Sequence, residues 1–452
     1  MQFNQDFITK MQNLLGDESP KFFNALESPS QKGITVNTGR LNGQDFVTLA
    51  DFPTSPIPQV SNGYYTKNLK IGNHILSHLG IIYSQEPSAM YPVEMLDVQP
   101  GDVVLDLCSA PGGKSIQILE KLNGTGFLIS NEIVYNRAKI LYENLTKMGF
   151  KNFAITCNNP QDFSLLNMKF DRILVDAPCG GEGMFRKDNF DFNAYNNSSI
   201  ETNSRRQINI LNSIAGLLKP GGKLVYSTCT YDTRENEEVV KAFIDNHTNY
   251  QLTPCPRLDS VTVAGVDIDT HTNTTLCRRR YPHLFDGEGQ FMALLTNIEP
   301  DTEEYFAKNI IPGYEPIYKK DVEIIRKAFK DIADISHLDI LKRNDNYYVV
   351  PDITLNLKGL NVVSIGVLMG NIERGNLKIA HEFYHAYSNL FNNHIDLNLS
   401  QVDHYLRGEE LEISSDTTGV CVVTTYEIAL GGGKLTQGKL KNYYPKNLRL
   451  NK

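Results

Sequence analysis

The chain has 452 residues, too many for one ordinary hydrophobic core, so two or three domains are expected. Hydrophobic residues make up 41% and charged residues 21%, a globular balance, and no stretch approaches the roughly 20 apolar residues of a membrane helix. The net charge of −8 gives no whole-chain signature of a polyanion binder, and seven unevenly spaced cysteines indicate neither a disulfide framework nor a CxxC metal site.

A reducing cytoplasm is the setting expected for such thiols. The opening MQFNQDFITKMQNLLGD mixes charge into its apolar positions and lacks a signal-peptide core. Phe7, Met11, Leu14 and Leu15 fall at helical spacing, ITVNTGRL reads as a strand and turn, and Pro53, Pro56 and Pro58 break the pattern. That is a small α+β unit, and by itself it reads as well as a packing domain without chemistry. From Tyr83 to Asp102 an extended piece leads into a helix containing Met95 and Leu96, closed by the Pro100-Gly101 turn.

The central stretch then alternates strand and helix. VVLDLC is a continuous apolar strand followed by a glycine turn and an amphipathic helix, and FLISNE leads into a second helix. NFAITCNN is a third strand, DRILVDAPC a fourth, and KLVYSTCTY a fifth after a helix around Ile208 to Leu218. This alternation predicts an α/β fold with a doubly wound, mainly parallel sheet. Past Glu299, EEYFAKNI and DVEIIRKAFKDI look helical, while NYYVVPDITLNL and NVVSIGVLMG look like short strands. The last stretch reads as strand-turn-strand. From Lys434 onward it holds no acid but Lys434, Lys439, Lys441, Lys446, Arg449 and Lys452, with Tyr443 and Tyr444 beside them. Such an end suits a polyanion, by phosphate contact and stacking, or is simply a solvated tail.

Three places carry chemistry. The run beginning ILVDAPCGG stops at Pro178, which sets Asp176 and Cys179 together at a strand end, where open α/β sheets place ligands. KLVYSTCTY ends the same way with a second thiol, Cys229. In LDLCSAPGGKS the small residues Ser109, Ala110, Gly112 and Gly113 let a ligand approach backbone amides and a helix N-terminus. That turn is neither GxGxxG nor a phosphate-binding GxxxxGK[ST] loop. Glu132, about twenty residues on, can take both ribose hydroxyls, so a nucleoside cofactor without a pyrophosphate is expected. S-adenosylmethionine meets that description better than NAD.

CSAPGGK, DAPCGGEG and STCTY, in that order and spacing, resemble the motifs of RNA (cytosine-5-)methyltransferases of the Nol1/Nop2/Sun family, especially its bacterial ribosomal-RNA branch. YSQEPSAM, YPHLFDGEGQFMALL and KLKNYYPKNLR extend the resemblance over nearly the whole chain. It implies an N-terminal α+β RNA-recognition domain (1–75), a Rossmann-like class I methyltransferase domain (76–298) and a C-terminal α+β region (299–452) ending in a PUA-like RNA-binding domain. The implied reaction is methylation of carbon 5 of a cytosine in RNA by S-adenosyl-L-methionine. The substrate that the resemblance implies is 16S ribosomal RNA, naked or within a small-subunit particle, with transfer RNA as runner-up.

Cytosine carbon 5 is a poor nucleophile, and a thiolate added at carbon 6 makes it reactive. The resemblance assigns that thiolate to Cys229, product release to Cys179, and contact with the base to Asp176. It assigns the cofactor to Cys108, Ser109, Ala110, Pro111, Gly112, Gly113, Lys114, Glu132, Arg137 and Asp176. Asn159 stands where the family often has an acid near the adenine. Arg186 and Lys187 read as phosphate contacts or as solvated side chains. A cytoplasmic monomer without metal or membrane is expected. His381-Glu382-Phe383-Tyr384-His385 matches the HExxH zinc signature, but no third ligand is obvious and so short a pattern arises by chance. A non-catalytic RNA-binding assembly factor would need neither strand-end thiol, and an adenine-N6 methyltransferase would want NPPY-like residues where this chain has DAPC.

Overall fold

The apolar runs around the thiol motifs form the middle of a ten-stranded sheet. The computed structural model describes residues 3–67, 71–186, 197–268, 271–300 and 309–450. Ahead of that sheet lie helix α1 (Gln5–Leu15) and a four-stranded antiparallel sheet of β1 (Lys32–Val36), β2 (Thr54–Pro56), β3 (Gly63–Thr66) and β4 (Ile82–Ser84).

The parallel centre comprises β5 (Val103–Asp106), β6 (Phe127–Asn131), β7 (Phe153–Thr156), β8 (Phe170–Asp176) and β9 (Leu218–Thr228). They are joined by helices α2 (Gly113–Leu122), α3 (Tyr135–Lys147) and α4 (Asn197–Ile214). Leu105, Ile129, Ile173 and Val175 face one core while Val104, Leu128, Leu174 and Val225 face the other, which is why these strands are apolar throughout. The sheet is more mixed than the alternation predicts. β10 (Tyr250–Leu252), β11 (Val263–Ala264), β12 (Arg278–Arg280) and β13 (Gln290–Asn297) extend it antiparallel beyond β9.

At the opposite edge β14 (Val362–Ile365), far along the chain, pairs antiparallel with β7. The C-terminal region also forms a five-stranded sheet around Asn346–Val350, with helix Lys319–Phe329 beside it. A last five-stranded sheet includes Gly419–Thr425, Ile428–Thr436 and Lys439–Asn442. Of EEYFAKNI, residues 303–308 lie outside the described residues. No helix among the described residues is long and apolar enough to cross a membrane.

Candidate active site

Strands β8 and β9 run parallel with Asp176 opposite Ser227, so the residues after both strand ends emerge side by side. The Ala177 amide donates to the Ser227 carbonyl at 2.9 Å, and the Gly183 amide to the Cys229 carbonyl at 2.7 Å. These bonds bring two loops fifty residues apart into register. They leave Cys179 Sγ 3.4 Å from Cys229 Sγ. Both thiols are free and half-buried.

Asp176 is held on three sides. Lys114 Nζ donates to its Oδ2 at 2.7 Å, the Ser227 hydroxyl to its Oδ1 at 2.7 Å, and Gln290 Nε2 to Oδ1 at 3.4 Å. Burial works against the Lys114 charge, but Asp176 beside it holds the ammonium above its usual range. Lys114 thus stays protonated. The hydrogen bond with Cys229, reinforced by burial, pushes the Cys179 thiol well up, so Cys179 keeps its proton in the resting pair.

The cofactor turn follows β5 directly. Gly112 sits at φ 117°, where a Cβ would also lie 2.9 Å from Leu141 Cδ1, so only glycine fits. Arg137 ties the turn to β6 by pairing with Glu132 at 3.1 Å and donating to the Ala110 carbonyl at 2.8 Å. Glu132 also accepts from the Val134 amide at 2.9 Å, and the Pro111 carbonyl accepts from Asn144 at 2.8 Å. Ser109 is buried and donates to the Asp106 carbonyl at 2.6 Å. One cavity of about 230 Å³ joins Cys108, Ala110, Glu132, Arg137 and Asp176 to Cys179 and Cys229.

Three residues here escape the sequence reading. Asp106 is fully buried and pushed up to about 6 by that burial. Its Oδ2 accepts from Ser115, whereas Oδ1 has no partner. Its position as the strand-end acid of LDLC was the available signal. Arg206 is exposed at the cavity wall, on a polar helix face that gives no signal in sequence. Pro160 lines the cavity in place of its neighbour Asn159. Asn159 is exposed and begins the short helix Pro160–Leu165, with its amide donating to Asp162 at 3.0 Å. A helix cap has claimed it.

Other expectations need correction. Arg186 is neither solvated nor open to phosphate: it pairs with Glu288 at 2.8 Å and donates to the Gly287 and Ala25 carbonyls. Lys187 lies outside the described residues. Tyr444 does not stack outward, because it is buried with its hydroxyl against His78 Nδ1 at 3.2 Å. Lys434, Lys439, Lys441, Lys446 and Tyr443 are exposed, and Lys452 is outside the described residues. In the HExxH segment His385 is buried with Nε2 against the Leu430 carbonyl at 3.1 Å, and both rings are held neutral by burial. Among the described residues no three His, Cys, Asp or Glu side chains gather as a metal site.

Comparison with known proteins identifies the family. Residues 93–296 match the family described as 16S rRNA methyltransferase RsmB/F. Residues 3–87 match the N-terminal domain of 16S rRNA methyltransferase RsmF, and 392–450 the RsmF PUA domain. The ribosomal RNA small subunit methyltransferase F of Shewanella loihica is 31% identical over 99% of this chain and 96% of its own length. That of Erwinia tasmaniensis is 29% identical over 99% and 96%. A methyltransferase homolog protein from Pyrococcus horikoshii superposes with TM-score 0.59 at 27% identity, over 65% of this chain and 95% of that one. NSun6 from the same organism, at 20% identity and TM-score 0.56 over 66% and 99%, shares the fold. The chain belongs to the 16S rRNA methyltransferase RsmB/F family, and it is an RNA methyltransferase with the N-terminal and PUA domains of RsmF.

Proposed function

We propose that this enzyme methylates carbon 5 of a cytosine in 16S ribosomal RNA through a covalent bond between Cys229 and carbon 6. The observation that carries this is the pair of thiols 3.4 Å apart at the ends of adjacent parallel strands, beside the Lys114–Asp176 pair. The methyl donor fitting the cavity is S-adenosyl-L-methionine, which when bound supplies an electrophilic methyl. The Cys108–Lys114 turn, Glu132, Arg137 and Asp176 would hold it. The unpartnered Oδ1 of buried Asp106 fits a donor set that includes an amino group.

The Cys229 sulfur adds to carbon 6, and the displaced π pair makes carbon 5 nucleophilic. Asp176 contacts the base and holds the protonated Lys114 beside it, and that ammonium offsets the negative charge developing at ring nitrogen 3. Bonding to carbon 6 ties up the Cys229 sulfur and weakens the hydrogen bond that keeps the proton on Cys179. Cys179 can then give its proton to solvent and, as the thiolate, take the carbon 5 proton. The C–H pair becomes the C5=C6 double bond, the C6–S bond breaks, and its electrons return to Cys229.

RNA is supported by the last sheet, where Lys434 stands directly across from Lys441, a like-charged pair that favours an anion between them. Action as a monomer in the cytoplasm, on naked RNA or a small-subunit particle, belongs to the same proposal. Cys229→Ala should abolish methyl transfer, and retained turnover would refute its role as nucleophile. Cys179→Ala should instead trap a protein–RNA adduct, seen as a shifted band on a denaturing gel. Bisulfite sequencing of total RNA with and without the gene identifies the cytosine.

A further inference from the structure

The release step asks Cys179 to sit within reach of carbon 5 while the ring is bonded to its neighbour. A loop that merely follows a strand end does not guarantee that. Two buried side chains outside the cavity fix it. Gln207, on α4, donates its Nε2 to the Pro178 carbonyl at 3.0 Å and to Glu235 Oε2 at 2.8 Å. The Glu235 carboxylate accepts the Gly180 amide with both oxygens, at 3.2 and 3.0 Å. The peptides on either side of Cys179 are therefore both anchored.

Glu235 is itself fastened to the strand that carries the other thiol. The Tyr226 hydroxyl donates to the Glu235 carbonyl at 2.6 Å, and Thr228 donates to Asn236 at 2.6 Å. Gln207 and Glu235 are both fully buried. A Cβ at residue 180 would lie 2.9 Å from Glu235 Oε1, so the loop is drawn close against the carboxylate. A stability-only staple would not need a buried carboxyl, whose desolvation is costly. A side chain that meets the amide following Cys179 with two oxygens fixes that peptide more directionally than a single acceptor would. Where Glu235 is ionised, above about pH 7, its charge also adds to the proton affinity of Cys179.

We infer that Glu235, together with Gln207, is a positioning residue for product release, holding the Cys179 loop against Cys229 so that the thiol reaches the carbon 5 proton. This rests on the release role proposed for Cys179 and names the residues that role depends on.

The test compares single-turnover methyl transfer, steady-state turnover and adduct yield on transcribed 16S ribosomal RNA, in wild type, Cys179→Ala, Glu235→Ala and Glu235→Gln. Glu235→Ala should keep the single-turnover rate, lose about tenfold in steady state and accumulate adduct as Cys179→Ala does. Glu235→Gln, which retains an oxygen for the Gly180 amide, should recover most of the turnover. If Cys179→Ala traps adduct while Glu235→Ala releases normally, the positioning role is wrong. An equal loss of both rates in Glu235→Ala and Glu235→Gln would make the contact merely structural. No adduct in Cys179→Ala would remove the release reading, and this inference with it.

Discussion

Burial pushes the Glu235 carboxyl from its ordinary 4.5 up to about 7, with Glu182 and Asp232 adding to the rise against the hydrogen bonds from Gln207 and Gly180. The folded state therefore keeps a proton that the unfolded chain releases between those two values. Stability falls as pH rises through that window and stays reduced above it. Glu235→Gln should show no advantage below pH 4.5 and a gain on the order of 3 kcal/mol above pH 7. Thermal melts across that range decide it, and parallel curves for the two proteins would contradict the assignment. The same desolvation logic separates residues that work from residues that only look suited. Arg186 spends its donors on Glu288 and on the carbonyls of Ala25 and Gly287, whereas Lys114 spends its charge on Asp176 inside the cavity wall.

Among the elements, α1 has a function its sequence pattern does not announce. Phe7 and Met11 pack with Phe22, Phe185, Tyr231 and Tyr281, so this helix lies on the two thiol-bearing loops. Lys10 reaches across to Glu182 and, at 3.0 Å, to Asp232, one acid from each loop. Glu182 in turn accepts the Tyr231 amide at 2.9 Å. Lys10→Ala should cost about 2 kcal/mol in denaturant melts, since Asp232 keeps Arg234 but Glu182 is left buried with less compensation. A loss under about 0.5 kcal/mol would place the pair among weak surface bridges.

For the molecule as a whole, the first and last parts of the chain complete one another. Ile34, Val36, Phe46 and Leu76 share a core with Ile395, Tyr405, Val423, Leu440 and Tyr444. Leu355, Leu357, Leu360, Val362 and Ile365 belong to the main core of the catalytic sheet. A chain ending at residue 298 would expose both sets and leave β7 as a bare edge. Such a fragment should aggregate or melt well below the full protein. A cooperative melt within a few degrees of wild type would show that the shared cores are dispensable.

The chemistry-bearing residues were legible because their neighbours in sequence explain them: an apolar run that ends at Asp-x-Pro-Cys or Thr-Cys can only deliver those groups to a sheet end. The glycine turn and Glu132 were legible for the same local reason. What sequence could not supply was pairing across distance. Asn159 lost its expected place to a helix cap, and Tyr444 to a core built from the opposite end of the chain. The antiparallel extension beyond β9, the return of β14 to β7 and the Glu235–Gly180 bond each join residues whose local sequence is silent about the partner. Local pattern decided which groups stand at the strand ends, and only packing of the whole chain decided that Cys179 and Cys229 stand 3.4 Å apart.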